Sequence, residues 1–292
     1  MQAPTVLVDG QPSDVIAVTN RGLAYGDGIF ETIRFQGSEP VLWERHWRRL
    51  LRGCDLLGLK LPADREATLL QQCRWLVEQN QLTQAVLKLV LMRNGVARGY
   101  RSELSAGLHT LVSIFTLPEY PSQNYLSGIK AWLCQTRLAV NPLLAGVKHL
   151  NRLEQVLASR EWPASDYDEG LMMDTSDQVI EGTKSNVFFI KDGYLVTPSL
   201  KGSGVAGVMR EYLIHCSLEF GLRVEESRVV LPDLPGFQEA FICNSVFGIW
   251  PIMSLDVTQD DTLHWGSGDI TRSLQQTVAG ELNLNMVIEN TP

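Results

Sequence analysis

Pro118 and Pro121 bracket Glu119 and Tyr120, and Ser122, Gln123 and Asn124 follow, a stretch with no apolar periodicity in an otherwise regularly patterned chain. Proline lacks the backbone N–H and pushes the residue before it out of the helical region, so neither a helix nor a central strand runs through such a segment. It divides the 292 residues into two stretches that are each long enough for a core of their own. We therefore expect a small N-terminal domain over 1–117, a linker over 118–124 and a larger C-terminal domain over 125–292. Within both parts, strand-like and helix-like segments alternate, which indicates a mixed α/β (α+β) protein. A net charge of −8 argues against nucleic acid or an anionic membrane as the main partner. There is no apolar run near the spanning length of about 20 residues, and the opening MQAPTVLVDG lacks the basic and apolar regions of a signal peptide. The expectation is a soluble, cytoplasmic protein. Five cysteines without a C-x-x-C, and five histidines without ligand spacing, predict reduced core thiols and no metal site.

In the first part, 6–10 and 15–18 read as a hairpin around Gln11-Pro12-Ser13. The glycine-dense loop 20–28, which contains Tyr25, leads into a strand over 29–35. A helix follows in which Trp43, Trp47, Leu50, Leu51 and Cys54 share one face, with Arg45, Arg48, Arg49 and Arg52 beside or opposite it. Such arginines are ordinarily solvated, but a guanidinium also grips phosphate oxygens in pairs. A second amphipathic helix carries Leu69, Leu70, Cys73, Leu76 and Val77. Strands over 86–92 and 108–117 bracket a loop holding Arg98 and Arg101, residues suited to a carboxylate ligand.

The second part opens with a strand over 129–135. In NPLLAGVKHLNRLEQVL (141–157), Leu150, Leu153, Val156 and Leu157 have helical spacing behind a turn at Asn141-Pro142 and Gly146. This places Lys148 at or just before a helix start. The positive end of the helix dipole and partial burial there favour the neutral amine, the form that attacks a carbonyl or takes a proton. Short strands follow at 170–174, 179–182, 186–190 and 194–197, with Glu181 at a strand end. Gly202-Ser-Gly204-Val-Ala-Gly207 then precedes a helix over 211–220, and free amides at such a start bind phosphate. The same G-x-G-x-x-G, with Glu225 and Glu226 about 20 residues on, also admits a dinucleotide. That ligand wants the glycines directly after a strand of a βαβ unit, and here Pro198–Lys201 intervenes after short hairpin strands. A single phosphate suits the pattern better. A phosphate-bearing cofactor beside a lysine of lowered pKa suggests pyridoxal phosphate, which needs a lysine, a phosphate cradle and a carboxylate for its ring nitrogen.

Five segments together carry a resemblance: Tyr25-Gly-Asp-Gly-Ile-Phe-Glu31, His46-Trp-Arg-Arg49-Leu, the Lys148 segment, Val179-Ile-Glu181 with Ser185-Asn-Val-Phe188, and Gly204-Val-Ala-Gly207-Val-Met-Arg210. Over nearly its whole length the chain resembles the fold-type-IV pyridoxal-phosphate enzymes, the class of branched-chain and D-amino-acid aminotransferases. AGVKHLNRLEQVL is most similar to the 4-amino-4-deoxychorismate lyase subgroup of that class. The resemblance implies two domains with the cofactor at their interface, the C-terminal one cofactor-binding, and a homodimer. It implies that Lys148 binds the cofactor and shuttles the proton, and that Glu181 pairs with the ring nitrogen. Arg49, the amides of Val208 and Met209, and Ser245 would hold the phosphate. Arg98 and Tyr25 would face the substrate, 4-amino-4-deoxychorismate, with 4-aminobenzoate and pyruvate as products; the alternative is a D-amino-acid or branched-chain-type aminotransferase of the same fold. Two positions depart from the broader class. Met209 stands where a hydroxyl residue is common, and Arg152 where the aminotransferases tend to carry Tyr.

Overall fold

The computed structural model describes residues 3–95, 99–102, 107–163 and 165–284. The chain forms two compact units, Met1–Pro118 with Val147–Asn151, and Glu119–Gly146 with Arg152–Pro292. Five residues around Lys148 thus belong with the N-terminal unit, although the chain on either side of them belongs to the other.

The first unit contains β1 (Val6–Val8), β2 (Gln11–Pro12), α1 (Arg21–Tyr25), β3 (Gly28–Gln36), β4 (Glu39–Pro40), α2 (Trp43–Leu57), α3 (Arg65–Gln79), β5 (Gln84–Arg93) and β6 (Leu108–Thr116). The strands form one sheet in the order β2-β1-β6-β5-β3-β4, with every pairing antiparallel. On β3 the period-2 alternation sends Ile29, Ile33 and Phe35 into the core, where they meet Trp47, Leu50 and Cys54 of α2 and Leu69, Cys73 and Leu76 of α3. Leu51 is exposed rather than on that face. The predicted strand over 15–18 does not form. Val15 and Val18 lie in irregular chain, 71% and 85% exposed, because β1 pairs instead with the two residues of β2 and with β6.

The second unit contains α4 (Gln123–Leu126), β7 (Ile129–Leu133), α5 (Leu153–Ala158), β8 (Glu169–Met173), β9 (Val179–Gly182), β10 (Asn186–Lys191), β11 (Tyr194–Pro198), α6 (Val208–Glu219), β12 (Val224–Ser227), a 3-10 turn (Leu231–Gly236), β13 (Glu239–Asn244), β14 (Gly248–Asp256), β15 (Thr262–His264) and α7 (Asp269–Leu282). Its sheet runs β12-β11-β10-β13-β14-β7-β8-β9, and β9 pairs back onto β10. Six strands, β10 to β9, therefore close on themselves around Val187, Phe189, Ile242, Trp250, Leu171 and Val179. Asp192 and Gly193, both with positive φ, make the tight turn from β10 to β11.

One expectation is reversed here. β11 and β12 are parallel neighbours joined through α6, so the glycine loop does sit in a strand–helix–strand crossover. β12 is the last strand on its edge, however, and Glu226 is paired with Arg210 at 2.7 Å. The acidic residue that a ribose would need is already engaged.

Candidate active site

Lys148 is held by a strand edge. The Phe30 N–H donates to the Lys148 carbonyl at 3.0 Å, the Leu150 N–H donates to Gly28 O at 3.1 Å, and Ile29 and His149 form an antiparallel bridge. The segment 148–150 extends the open edge of β3. The helix begins only at Leu153, with Arg152 as its cap, so Lys148 does not stand in a first turn and the helix-dipole argument does not apply to it. Alternation puts Val147 against the core of the first unit and Lys148 on the other side, where its Nζ lies 4.4 Å from the Phe30 ring centroid.

On the core face of the same strand, between Ile29 and Ile33, stands Glu31. It accepts from Arg49 Nε at 2.7 Å, from a second Arg49 nitrogen, and lies 2.6 Å from His46 Nδ1. His46 and Arg49 are one helical turn apart on α2, so both meet the strand. All three side chains are buried, at 2% (Glu31), 1% (His46) and 7% (Arg49) exposure. Burial pushes the Glu31 carboxyl up, but the opposed charge of Arg49 and the bonds from Arg49 and His46 outweigh it and hold it at about 2. For His46 the balance is the reverse. Burial pulls its pKa down, Glu31 pulls it up, and the charges of Arg49 and Lys148 leave it below the ordinary value. Arg49 was predicted at a helix edge; it is in the core because Glu31 is there to meet it.

The Glu31 pKa is about 2 in the fold and 4.5 ordinarily, so the group stabilises the fold above pH 4.5, and that contribution fades as pH falls toward 2. Its size is about 3 kcal/mol. Thermal unfolding from pH 7 down to pH 3 should show a steep loss that Glu31→Gln flattens. Parallel curves for the two proteins would refute it.

In the second unit Glu181 is buried on β9 and accepts from the Val205 N–H at 2.8 Å. Arg152 belongs to the same neighbourhood. Burial draws its pKa down, while the charges of Glu181 and Glu154 draw it up. The glycine loop is pinned on both sides. Gly146 N–H donates to Gly204 O at 2.9 Å and Ala206 N–H to Gly146 O at 3.0 Å, and Asn186 Nδ2 donates to Val205 O at 2.9 Å. A Cβ on Gly207 would lie 1.9 Å from Asn186 Oδ1, and one on Gly204 3.2 Å from Glu181 Oε2. α6 starts at Val208, three residues earlier than predicted, behind the cap residue Gly207. The amides of Val208 and Met209 are therefore first-turn amides that no cap side chain covers, the arrangement that receives an anion. Ser245 lies in the turn from β13 to β14, where Asn244 Oδ1 accepts from the amides of Val246 and Phe247, both at 2.9 Å.

Tyr25 closes α1, its ring 5.4 Å from that of Tyr100 and under the Arg21 guanidinium at 5.0 Å. Arg21 donates to the carbonyls of Gly99 and Tyr100 at 3.0 and 2.9 Å and to Asp27 at 2.8 Å. Arg98 lies outside the described residues. The first unit thus holds Tyr25, Arg49 and Lys148, and the second holds Glu181, Val208, Met209 and Ser245. His46 and Glu31 join Arg49 in one buried cluster that no pattern in the sequence assigns to them. The available signal was a carboxylate on the core face of a strand, followed by histidine and arginine at i and i+3 of the next helix.

A model of the amino-transferase class IV family matches residues 28–255. The chain belongs to the class IV aminotransferase family. Among members of this class IV family, the aminodeoxychorismate lyase of Vibrio harveyi is 32% identical over 94% of the chain and 98% of its own length. The crystal structure of 4-amino-4-deoxychorismate lyase from Pseudomonas aeruginosa superposes with a TM-score of 0.88, at 41% identity over 95% of this chain and 99% of that one. The branched-chain amino acid aminotransferase of Escherichia coli gives 0.83 at 25% identity over 95% and 94%. The cofactor of this family is pyridoxal 5′-phosphate. Residues of each unit suit parts of it: in the second, two uncapped first-turn amides suit a phosphate and a buried carboxylate a protonated ring nitrogen; in the first, a buried arginine suits a phosphate and the lysine an aldehyde. The glycine cradle leaves no room for a Cβ at 204 or 207.

Proposed function

We propose that this chain is a 4-amino-4-deoxychorismate lyase, converting that substrate to 4-aminobenzoate and pyruvate in the cytoplasm as a step of folate biosynthesis. The likeness to the Pseudomonas lyase, with 41% identity over almost the full length of both chains, carries the reading. Arg152, beside Glu181 where aminotransferases of the class tend to carry Tyr, supports it. When bound, pyridoxal phosphate supplies an electron sink at the carbon bearing the substrate amine. Lys148 would hold the cofactor, and its amine, once free, would take the proton from that carbon. Glu181 keeps the ring nitrogen protonated. With that proton removed, the carbon–oxygen bond to the enolpyruvyl group would break as the six-membered ring becomes aromatic, and the released group would take up a proton to become pyruvate.

Arg49, the amides of Val208 and Met209, and Ser245 bind the phosphate in this reading, and Arg98 and Tyr25 face the substrate. The backbone amide of Met209 serves although its side chain offers no hydroxyl. In this reading residues 1–117 and 125–292 are the two domains, joined through 118–124. The helix α5 exposes Leu153, Val156 and Leu157 at i, i+3 and i+4, and Leu143 is 77% exposed; these apolar side chains support a homodimer. Among the described residues no helix is long and apolar enough to cross a membrane, and five buried, unpaired cysteines favour a reducing compartment.

The test is release of pyruvate and 4-aminobenzoate from 4-amino-4-deoxychorismate with no keto acid added. Equal amounts of both products are expected. A yellow protein that yields neither, but transfers an amino group once a keto acid is supplied, would instead be an aminotransferase.

A further inference from the structure

Glu31 sits where the sheet would otherwise bury an aliphatic side chain. It is flanked by Ile29 and Ile33 and faces a helix that contributes Trp47, Leu50 and Cys54 to the core. Taking a carboxylate, a guanidinium and an imidazole out of water together is costly, and an apolar trio of similar volume would serve stability as well or better. Such a cluster is more readily explained by what it positions. Its geometry is that of a relay with one loose end. Glu31 takes two bonds from Arg49, through Nε and a terminal nitrogen, and its Oε2 is also 2.6 Å from His46 Nδ1. A planar guanidinium gripped along one edge by a carboxylate cannot swing, so the direction of its remaining N–H groups is set. The carboxylate in turn cannot rotate, because the imidazole holds it from the second side. Nε2 of His46, by contrast, is buried and has no hydrogen-bond partner among the described residues, so the imidazole gains its polar contact through Nδ1.

We propose that Glu31 and His46 are positioning residues that fix the guanidinium of Arg49 for a phosphate monoester, His46 acting only through Glu31. This rests on the reading of Arg49 as a phosphate ligand of the cofactor and goes beyond it by assigning the two residues behind the arginine. A neutral histidine suits that role. It donates through Nδ1–H and adds no charge that would pull Glu31 away from Arg49.

The test compares two ligands that differ only in the phosphate. The full-length chain is stripped of cofactor and titrated with pyridoxal phosphate and with pyridoxal, and the ratio of the two dissociation constants measures how much the phosphate contributes. Glu31→Gln and His46→Leu are expected to lower the wild-type ratio at least about tenfold, by weakening pyridoxal phosphate binding while leaving pyridoxal binding within about twofold. His46→Asn places an amide donor near the position of Nδ1 and is expected to restore most of the ratio. His46→Leu keeps the Glu31–Arg49 pair and a well-filled core, so it reports even if Glu31→Gln does not fold. If the variants melt earlier but keep the wild-type ratio, the cluster is structural and the proposal is overturned. If His46→Asn behaves like His46→Leu, the relay through Glu31 is overturned. A wild-type protein that prefers neither ligand would remove the phosphate reading of Arg49 itself, a separate failure.

Discussion

Lys148→Ala should release neither pyruvate nor 4-aminobenzoate above about one part in 10⁴ of the wild-type rate. Two functions disappear with one nitrogen, the covalent hold on the cofactor and the base that takes the substrate proton, and positioned proton transfer alone is worth about 10²–10⁴. The fold should be indifferent. What ties this residue to β3 is its carbonyl, through the 3.0 Å bond from Phe30, together with the neighbouring Leu150–Gly28 bond, and alanine keeps both. The side chain gives up its contact with the Phe30 ring. The measurements are product release, absorbance of the purified protein and the melting temperature. The variant should lose the yellow colour of lysine-bound cofactor, melt with wild type stripped of cofactor, and regain a little activity when methylamine is added as a substitute base. A variant retaining a tenth of the wild-type rate would remove Lys148 from the chemistry.

Glu181→Gln is expected to lower kcat about 10²–10³-fold with a much smaller change in KM. Its carboxylate is buried, so its charge is felt at close to full strength by a ring nitrogen beside it, and an amide of the same shape supplies no charge. Glutamine can still accept from the Val205 N–H, which keeps the glycine loop in place. Arg152 loses an opposite charge in the variant, which deepens the effect by leaving a positive charge where the proton must be held. A loss confined to KM, or a kcat within threefold of wild type, would mean that Glu181 does not serve the ring.

The residue types of the site could be read from the chain, but the reasons that place them could not. Lys148 stood out, yet for a helix start that does not exist. The helical spacing of Leu150, Leu153 and Val156 is real from Leu153 onward, and before that the backbone is claimed by Gly28 and Phe30, about 120 residues away in sequence. Local pattern carries no trace of such a partner. Residues 15–18 read as the second strand of a hairpin but find no edge to join. The burial of Arg49 needs the register of β3 against α2, which brings Glu31 opposite His46 and Arg49. The G-x-G-x-x-G, by contrast, was readable in detail, because glycine is required by close contacts at 204 and 207 whatever the rest of the chain does. The crossover from β11 to β12 was hidden by the length of the loop between β11 and α6.

Because Lys148 is stitched to β3 one backbone pair at a time, its orientation depends on counting. Adjacent residues on a strand face opposite ways, so deleting or inserting a single residue in the approach at 143–146 would slide the segment by one position against Phe30. The amine would then turn toward α2 and the buried carboxylate, and Val147 or His149 would take its place. Length in this connection is therefore as constrained as composition. Variants that shorten or lengthen it by one should fold and be inactive, whereas a change of two residues returns a side chain to the original face.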